Sequence, residues 1–225
     1  AEERATVMNS LAQKMESPLR QAKLALIQFQ EKEDGNLSER VLKQLKRSQH
    51  NIDRVLLLID DLLTMETLET GRIGLELSEC NAHSFSEEAI STVQSLAQKK
   101  MISIKNEVEN CLIKADKARL IQTLINFLSN AIKFSPEQSN IVVSSSRNSQ
   151  WIKIAVKDEG PGMDKETRER VFEKFFQAEG PEKKQGFGLG LAICSMIIQS
   201  HGGKLGVDSE VGKGSSFWFE IPIQI

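Results

Sequence analysis

Hydrophobic positions in the first 70 residues recur with a helical period. Met8, Met15, Ala22 and Phe29 stand seven residues apart, Leu11, Pro18 and Ala25 fill the alternate position, and Ala12, Leu19 and Leu26 lie beside them. This is an a/d/e stripe along one helix face. Pro18 falls inside the stripe and predicts a kink, because proline removes a donor and its ring crowds the preceding turn. Gly35, within 33–37, interrupts the pattern. A second stripe follows through Leu45, Ser48, Ile52, Val55, Ile59 and Leu62, with spacings of three and four. Two helices of about 30 residues cannot bury such stripes on each other alone, so the pattern predicts an αα-hairpin that pairs with a second copy into a four-helix bundle. Packing against the rest of its own chain is the alternative.

Beyond Gly71 and Gly74 the periods mix. Strands are expected over 73–77, 101–108, 141–146, 151–158, 204–208 and 216–223, and helices over 84–99, 116–134 and 187–200. In the last strand Phe217, Phe219, Ile221 and Ile223 share one face. Hairpin-linked strands do not fit a strict strand–helix alternation, so the fold class is α+β: a helical hairpin over 1–70, then an α/β sandwich over 71–225.

Composition narrows the function classes. The 225 residues are 40% hydrophobic and 27% charged, ordinary for a globular protein. The net charge of −2 argues against a nucleic-acid partner bound through its phosphates. Cys80, Cys111 and Cys194 are too far apart for a zinc or disulfide pattern. No apolar run approaches the roughly 20 residues of a membrane span, and no signal peptide is visible. The chain starts at Ala1 in mid-helix pattern and reads as a piece of something longer.

Three segments of the second domain carry candidate chemistry. In the helix over 116–134, Asn126, Asn130 and Lys133 fall on one face, followed by Phe134. Carboxamide oxygens can approach a hard cation such as Mg²⁺, and a lysine can meet a phosphate; such residues on a helix are otherwise an ordinary solvent face. Asp158-Glu-Gly160-Pro-Gly162 follows a strand. The glycines allow close backbone approach to a flat ligand and the Asp can accept from an exocyclic amine, although a plain turn reads the same way. Gly186, Gly188 and Gly190 open a helix, where free N–H groups favour anions. No strand immediately precedes them, so this is not the dinucleotide fingerprint.

Taken together, in this order, these segments resemble the sensor histidine kinases of two-component systems. The Asn-rich helix is similar to their N box, 158–162 to the first glycine box, 172–176 to the F box, 186–190 to the second glycine box and 212–217 to the closing one. The resemblance covers residues 8 to 225. It implies that Asp158 binds the adenine amine, that Asn130 holds Mg²⁺ with Asn126 and Lys133 near the phosphates, and that Gly186, Gly188 and Gly190 cradle them. Phe134, Gly160, Gly162, Phe175 and Ser216 complete the implied ATP site. Residues 177–185 would form a lid, with Lys183 or Lys184 offering charge to the γ-phosphate. His201-Gly-Gly203 fits the turn after the lid helix. Related gyrase-type and heat-shock ATPases hydrolyse ATP with a Glu where this chain has Asn126; a carboxamide cannot take a proton, which argues for phosphoryl transfer or nucleotide binding over rapid hydrolysis. The resemblance further implies a homodimer, a response regulator or partner kinase, and a cytoplasmic location, any membrane contact being made upstream of Ala1.

The pattern breaks at the phosphoacceptor. In this family a His is followed by an acid and then by a Thr-Pro-Leu-like sequence. Pro18 and Leu19 fix the register here and put Gln13 at the acceptor and Lys14 at the acid, with Glu16 where an Arg is usual. A carboxamide nitrogen has no available lone pair to attack phosphorus, and Lys14 is no base. Ser17 keeps a hydroxyl that could position water, or is an ordinary helix serine. His50 lacks an acidic neighbour, His83 could cap the following helix, and neither they nor His201 replace Gln13. Three readings stay open: a module that binds Mg-ATP without phosphorylating itself in the usual place; an active kinase working in trans on a partner's histidine or a hydroxyl residue; and a structural dimer with no nucleotide role.

Overall fold

The computed structural model describes residues 2–32, 38–69, 75–177 and 187–223, with side chains of the first helix described from Met15 to Gln30. The chain divides into two compact units, Ala1–Ile73 and Gly74–Ile225.

The first unit is two long helices, α1 (Glu2–Lys32) and α2 (Glu39–Glu69). Pro18 lies inside α1, which continues through it. Lys23 Nζ meets Asp53 Oδ1 at 2.7 Å and Gln49 Nε2 donates to Gln30 Oε1 at 3.3 Å, so the helices run antiparallel. Leu56 and Ile59 are buried, whereas Met15 and Phe29 of the α1 stripe, and Leu24 outside it, are about half exposed.

The second unit is a two-layer sandwich. A five-stranded sheet has the order β2-β4-β5-β7-β6, from β2 (Ser103–Glu107), β4 (Asn140–Arg147), β5 (Trp151–Lys157), β6 (Lys204–Ser209) and β7 (Ser215–Pro222). The β2–β4 pair is parallel and the others are antiparallel. Strict alternation puts Ile152, Ile154, Val156, Phe217, Phe219 and Ile221 on the covered face. Against it lie α3 (Ala82–Lys99), α4 (Lys117–Phe134) and α6 (Gly190–Ser200), which contribute Phe85, Leu120, Leu124, Phe127, Leu128, Ile193 and Ile197 to the core. Phe127 joins the layers, its ring centroid 5.6 Å from Phe217 and 6.4 Å from Phe219. A short helix, α5 (Lys165–Arg170), follows β5.

Three sequence expectations need correction. The strand expected over 73–77 is β1 (Ser78–Asn81), and residues 75–77 are not a strand. It pairs antiparallel with β3 (Leu112–Ala115), a strand too short for its period to show. The cap of α3 is Asn81 and not His83: the Asn81 side chain accepts from Ser84 N at 3.1 Å. The third helix of the core starts at Gly190 rather than 187, because Gly188 has φ +71 and cannot belong to it.

His201 is more than part of a turn. Its ring is buried, Nδ1 contacts Ile197 O at 2.8 Å and Nε2 contacts Asp116 N at 3.0 Å. A carbonyl only accepts and an amide N–H only donates, so Nδ1 carries the hydrogen and Nε2 is the acceptor. Asp116 caps α4 through Arg119 N at 3.1 Å and takes Glu76 N at 3.1 Å on its other oxygen. One imidazole therefore ties the end of α6 to the start of α4. His201→Ala leaves the Asp116 N–H unpaired in the interior, whereas the Ile197 carbonyl keeps the backbone N–H of position 201, and the change is expected to cost about 1–3 kcal/mol in chemical denaturation.

Candidate nucleotide-binding site

The site lies where β5, α4 and the β6–β7 loop converge. Asp158 follows β5 in the inward register of Val156 and is 4% exposed. Its Oδ1 accepts from Gly160 N at 2.8 Å and from Ser215 N at 3.0 Å. Its own N–H donates to Ser215 O at 2.8 Å. No cationic side chain pairs with this carboxylate among the described residues. Burial pushes its pKa up, and the hydrogen bonds from Gly160 and Ser215 oppose that only in part. A buried carboxylate held by two backbone amides and by no ion pair is an expensive arrangement unless a ligand uses the second oxygen.

The glycines around it are there for space. A Cβ on Gly160 would lie 2.9 Å from Asp158 Oδ1. Gly162 has φ +70 and abuts the Glu210 carbonyl; Gly214 has φ +81 and abuts the Asp158 carbonyl, and neither has room for a Cβ.

On α4, the side chains of Asn126 and Asn130 are half-buried and neither forms a hydrogen bond among the described residues. Asn126 Oδ1 rests against Gly190, where any Cβ would overlap it. Two carboxamides without protein partners fit a site for a hard cation that keeps most of its oxygen ligands from phosphates and water. Lys133 Nζ sits 4.6 Å from the centroid of the Phe134 ring, which is 43% exposed.

The 172–176 segment is stitched to the second glycine stretch. Phe175 N donates to Gly188 O at 2.8 Å, and a Cβ on Gly188 would come 2.5 Å from Phe176 O. Phe175 itself has φ +63 and is 61% exposed, a strained position for a bulky residue. Gly190 is the first residue of α6, and Leu189 before it supplies no side-chain cap, so the first-turn N–H groups of α6 are left for another acceptor.

The structure places Ser216 elsewhere. It pairs with Lys157 and Asp208 and alternates out of phase with Phe217, so it belongs to the outer sheet face. Ser215, one residue earlier, is buried and bonds Asp158. The period-two face through Phe217 and Phe219 extends back to Ser215, which is the signal that identifies it. Gly186, Lys183 and Lys184 lie outside the described residues, as do 178–185 of the expected lid. Gln13 and Lys14 are in α1 with their side chains outside the described residues; Ser17 is exposed, and Glu16 Oε1 accepts from Arg20 Nε at 2.7 Å.

Comparison with known proteins decides the family. Residues 115–225 match the family of histidine kinase-, DNA gyrase B-, and HSP90-like ATPases. The catalytic domain of histidine kinase ThkA superposes with a TM-score of 0.60 and 32% identity, covering 66% of this chain and 96% of that domain. This chain belongs to the histidine kinase-type ATPases. Its second unit is the catalytic ATPase domain of two-component sensor kinases. Full-length ShkA in complex with AMPPNP superposes over 100% of this chain and 46% of ShkA, with TM-score 0.80 and 29% identity. ThkA in complex with the response regulator TrrA gives TM-score 0.69 at 25% identity, over 99% of this chain and 64% of that one. The adaptive-response sensory kinase SasA of Gloeothece citriformis is 31% identical over 96% of this chain, which spans only 57% of that relative. No described helix is long and apolar enough to cross a membrane.

Proposed function

We propose that this chain binds Mg-ATP at Asp158 and serves as a signalling module of a two-component sensor kinase that does not phosphorylate its own helix at the usual position. The observation that carries the nucleotide reading is the buried Asp158 carboxylate, with Oδ1 saturated by Gly160 N and Ser215 N and no cation paired with it among the described residues. Oδ2 is then the acceptor for the exocyclic amine of adenine. ShkA, which is in complex with AMPPNP, supports an adenine nucleotide as the ligand. Asn130, with Asn126, would hold Mg²⁺, and Lys133 and the start of α6 would meet the phosphates. Mg²⁺ would offset charge on the phosphate oxygens.

With Asn126 in place of a carboxylate, the α4 face offers no general base to activate water. At the acceptor position Gln13 has no nucleophilic nitrogen and Lys14 cannot take a proton, so a γ-phosphoryl group held at the site finds no acceptor there. The exposed apolar residues Met15, Leu24 and Phe29 support dimerisation of the hairpin with a second copy. The ThkA–TrrA complex supports a response regulator as partner. Kinase activity in trans, on a partner's histidine or a hydroxyl group, would draw on the same ATP site and is separated from this reading by phosphosite mapping.

The direct test of the nucleotide reading is calorimetric titration with a non-hydrolysable ATP analogue and Mg²⁺, alongside thermal unfolding. Ligand at one hundred times its Kd is expected to add about 2.7 kcal/mol, or a few degrees of Tm. No heat and no shift would assign the chain to a structural dimer without a nucleotide role.

A further inference from the structure

Lys100 belongs to none of the nucleotide motifs, yet it closes the end of the helix that carries one of them. It is the C-cap residue of α3. Its Nζ donates to the carbonyls of Ile132 at 2.9 Å, Lys133 at 2.7 Å and Ser135 at 3.2 Å. An ammonium has three N–H donors, so all are committed to the end of α4. These are carbonyls that a helix C-terminus leaves without intrahelical partners, and a cation there also meets the negative end of the helix dipole.

The carbonyl of this run that Lys100 does not take is that of Phe134, and it faces the first glycine stretch: a Cβ on Gly160 would lie 3.3 Å from Phe134 O. The segment Ile132–Ser135 is thus held from one side by Lys100 and abutted on the other by the loop that shapes the Asp158 site. Lys100 is itself held firmly. Its N–H donates to Ala97 O at 3.1 Å and its carbonyl accepts from Gln138 N at 3.0 Å. Met101 and Gln138, the residues that complete this crossing, have φ +54 and φ +61, uncommon values for side-chain-bearing residues. Backbone strain on both sides of one lysine indicates that its placement is enforced by the surrounding structure.

We propose that Lys100 is a positioning residue of the nucleotide site: it fixes the last turn of α4 so that Lys133 is presented to the phosphate end of the ligand. This rests on the reading that the site binds ATP. Without the ammonium, three terminal carbonyls turn to water, the last turn frays and Lys133 loses its fixed origin, whereas Asp158, anchored through Gly160 and Ser215, keeps its place.

The test compares wild type, Lys100→Met, Lys100→Arg, Lys133→Met and the Lys100→Met/Lys133→Met double variant, with Kd measured for the Mg²⁺-bound non-hydrolysable ATP analogue and for adenosine. Lys100→Met is expected to weaken the ATP analogue about tenfold and adenosine less than about twofold. Lys133→Met should cost about tenfold alone, and the double variant little more than either, since both changes remove the same contact. Arginine should recover much of the loss, because it restores a cation with donors. Wild-type analogue affinity in Lys100→Met, equal losses for analogue and adenosine, or full additivity with Lys133→Met would each overturn the proposal. Failure of wild type to bind the analogue would remove the ATP reading and this proposal with it; binding by wild type and equally by Lys100→Met removes this proposal alone.

Discussion

Asp158→Asn is expected to weaken binding of an ATP analogue about 100-fold, equivalent to roughly 2.7 kcal/mol, without unfolding the protein. The reason lies in the division of labour between the two carboxylate oxygens. Oδ1 holds two buried backbone N–H groups, from Gly160 and Ser215. An asparagine keeps a single oxygen, and leaving those amides unpaired would cost about 1–3 kcal/mol each, so the oxygen stays with them. The NH₂ group then occupies the Oδ2 position and faces a donor on the ligand with a donor. The binding loss is a hydrogen bond to a charged acceptor, about 1.5–3 kcal/mol, plus the donor–donor contact.

The pH dependence separates this account from a merely structural one. Burial raises the Asp158 pKa in the folded protein. The folded state therefore holds the proton more tightly than the unfolded state does. The stability linked to this group is greatest below the unfolded pKa, about 3.9, and is lost as pH rises through the folded value. Ligand affinity runs the other way, because the amine needs the carboxylate: wild-type affinity falls as pH drops through the raised pKa. Asp158→Asn should show neither dependence and should be at least as stable as wild type at neutral pH, while having lost its ligand. A variant that lost stability and affinity together, at every pH, would contradict this.

Gln13→His combined with Lys14→Glu is expected to convert a chain with no label at this position into one that incorporates γ-phosphate. Both residues lie in α1, in the register set by Pro18 and Leu19. The imidazole supplies the nucleophilic nitrogen and the carboxylate beside it can take the proton, the two functions that Gln13 and Lys14 lack. Gln13→His alone should label more weakly, by about 10²–10⁴-fold in rate, the usual contribution of a positioned general base. Adding Asp158→Asn should abolish the label again. Radiolabel stability distinguishes the product, since phosphohistidine survives base and is lost in acid. Absence of label in the double variant, with analogue binding intact, would show that the loss of function extends beyond these two positions.

Much of the candidate site was legible in the chain because its parts are local. The Asn126–Asn130 spacing, the Asp158 to Gly162 run and Gly188 and Gly190 each sit in one continuous segment, and a segment reads directly from its order. What the sequence hid depends on partners far along the chain. Lys100 closes a helix end 32 to 35 residues away, and His201 reaches Asp116 across 85 residues. No periodicity announces such contacts. β3 was unreadable for a different reason: with four residues and a burial pattern that alternates only twice, it differs little from a loop. The place of Ser215 was readable, since the parity of Phe217 and Phe219 already assigns it, and not Ser216, to the inner face.

The central claim is that ATP binding is retained while the chain's own acceptor is lost. Its most direct test is incubation of the unmodified protein with γ-labelled Mg-ATP, at a concentration that saturates the site by calorimetry, followed by mass-spectrometric mapping of phosphosites under base- and acid-stable conditions. Saturation with no phosphate on residues 1–70 is the result expected. Stoichiometric, acid-labile phosphate on any histidine of the chain would contradict it.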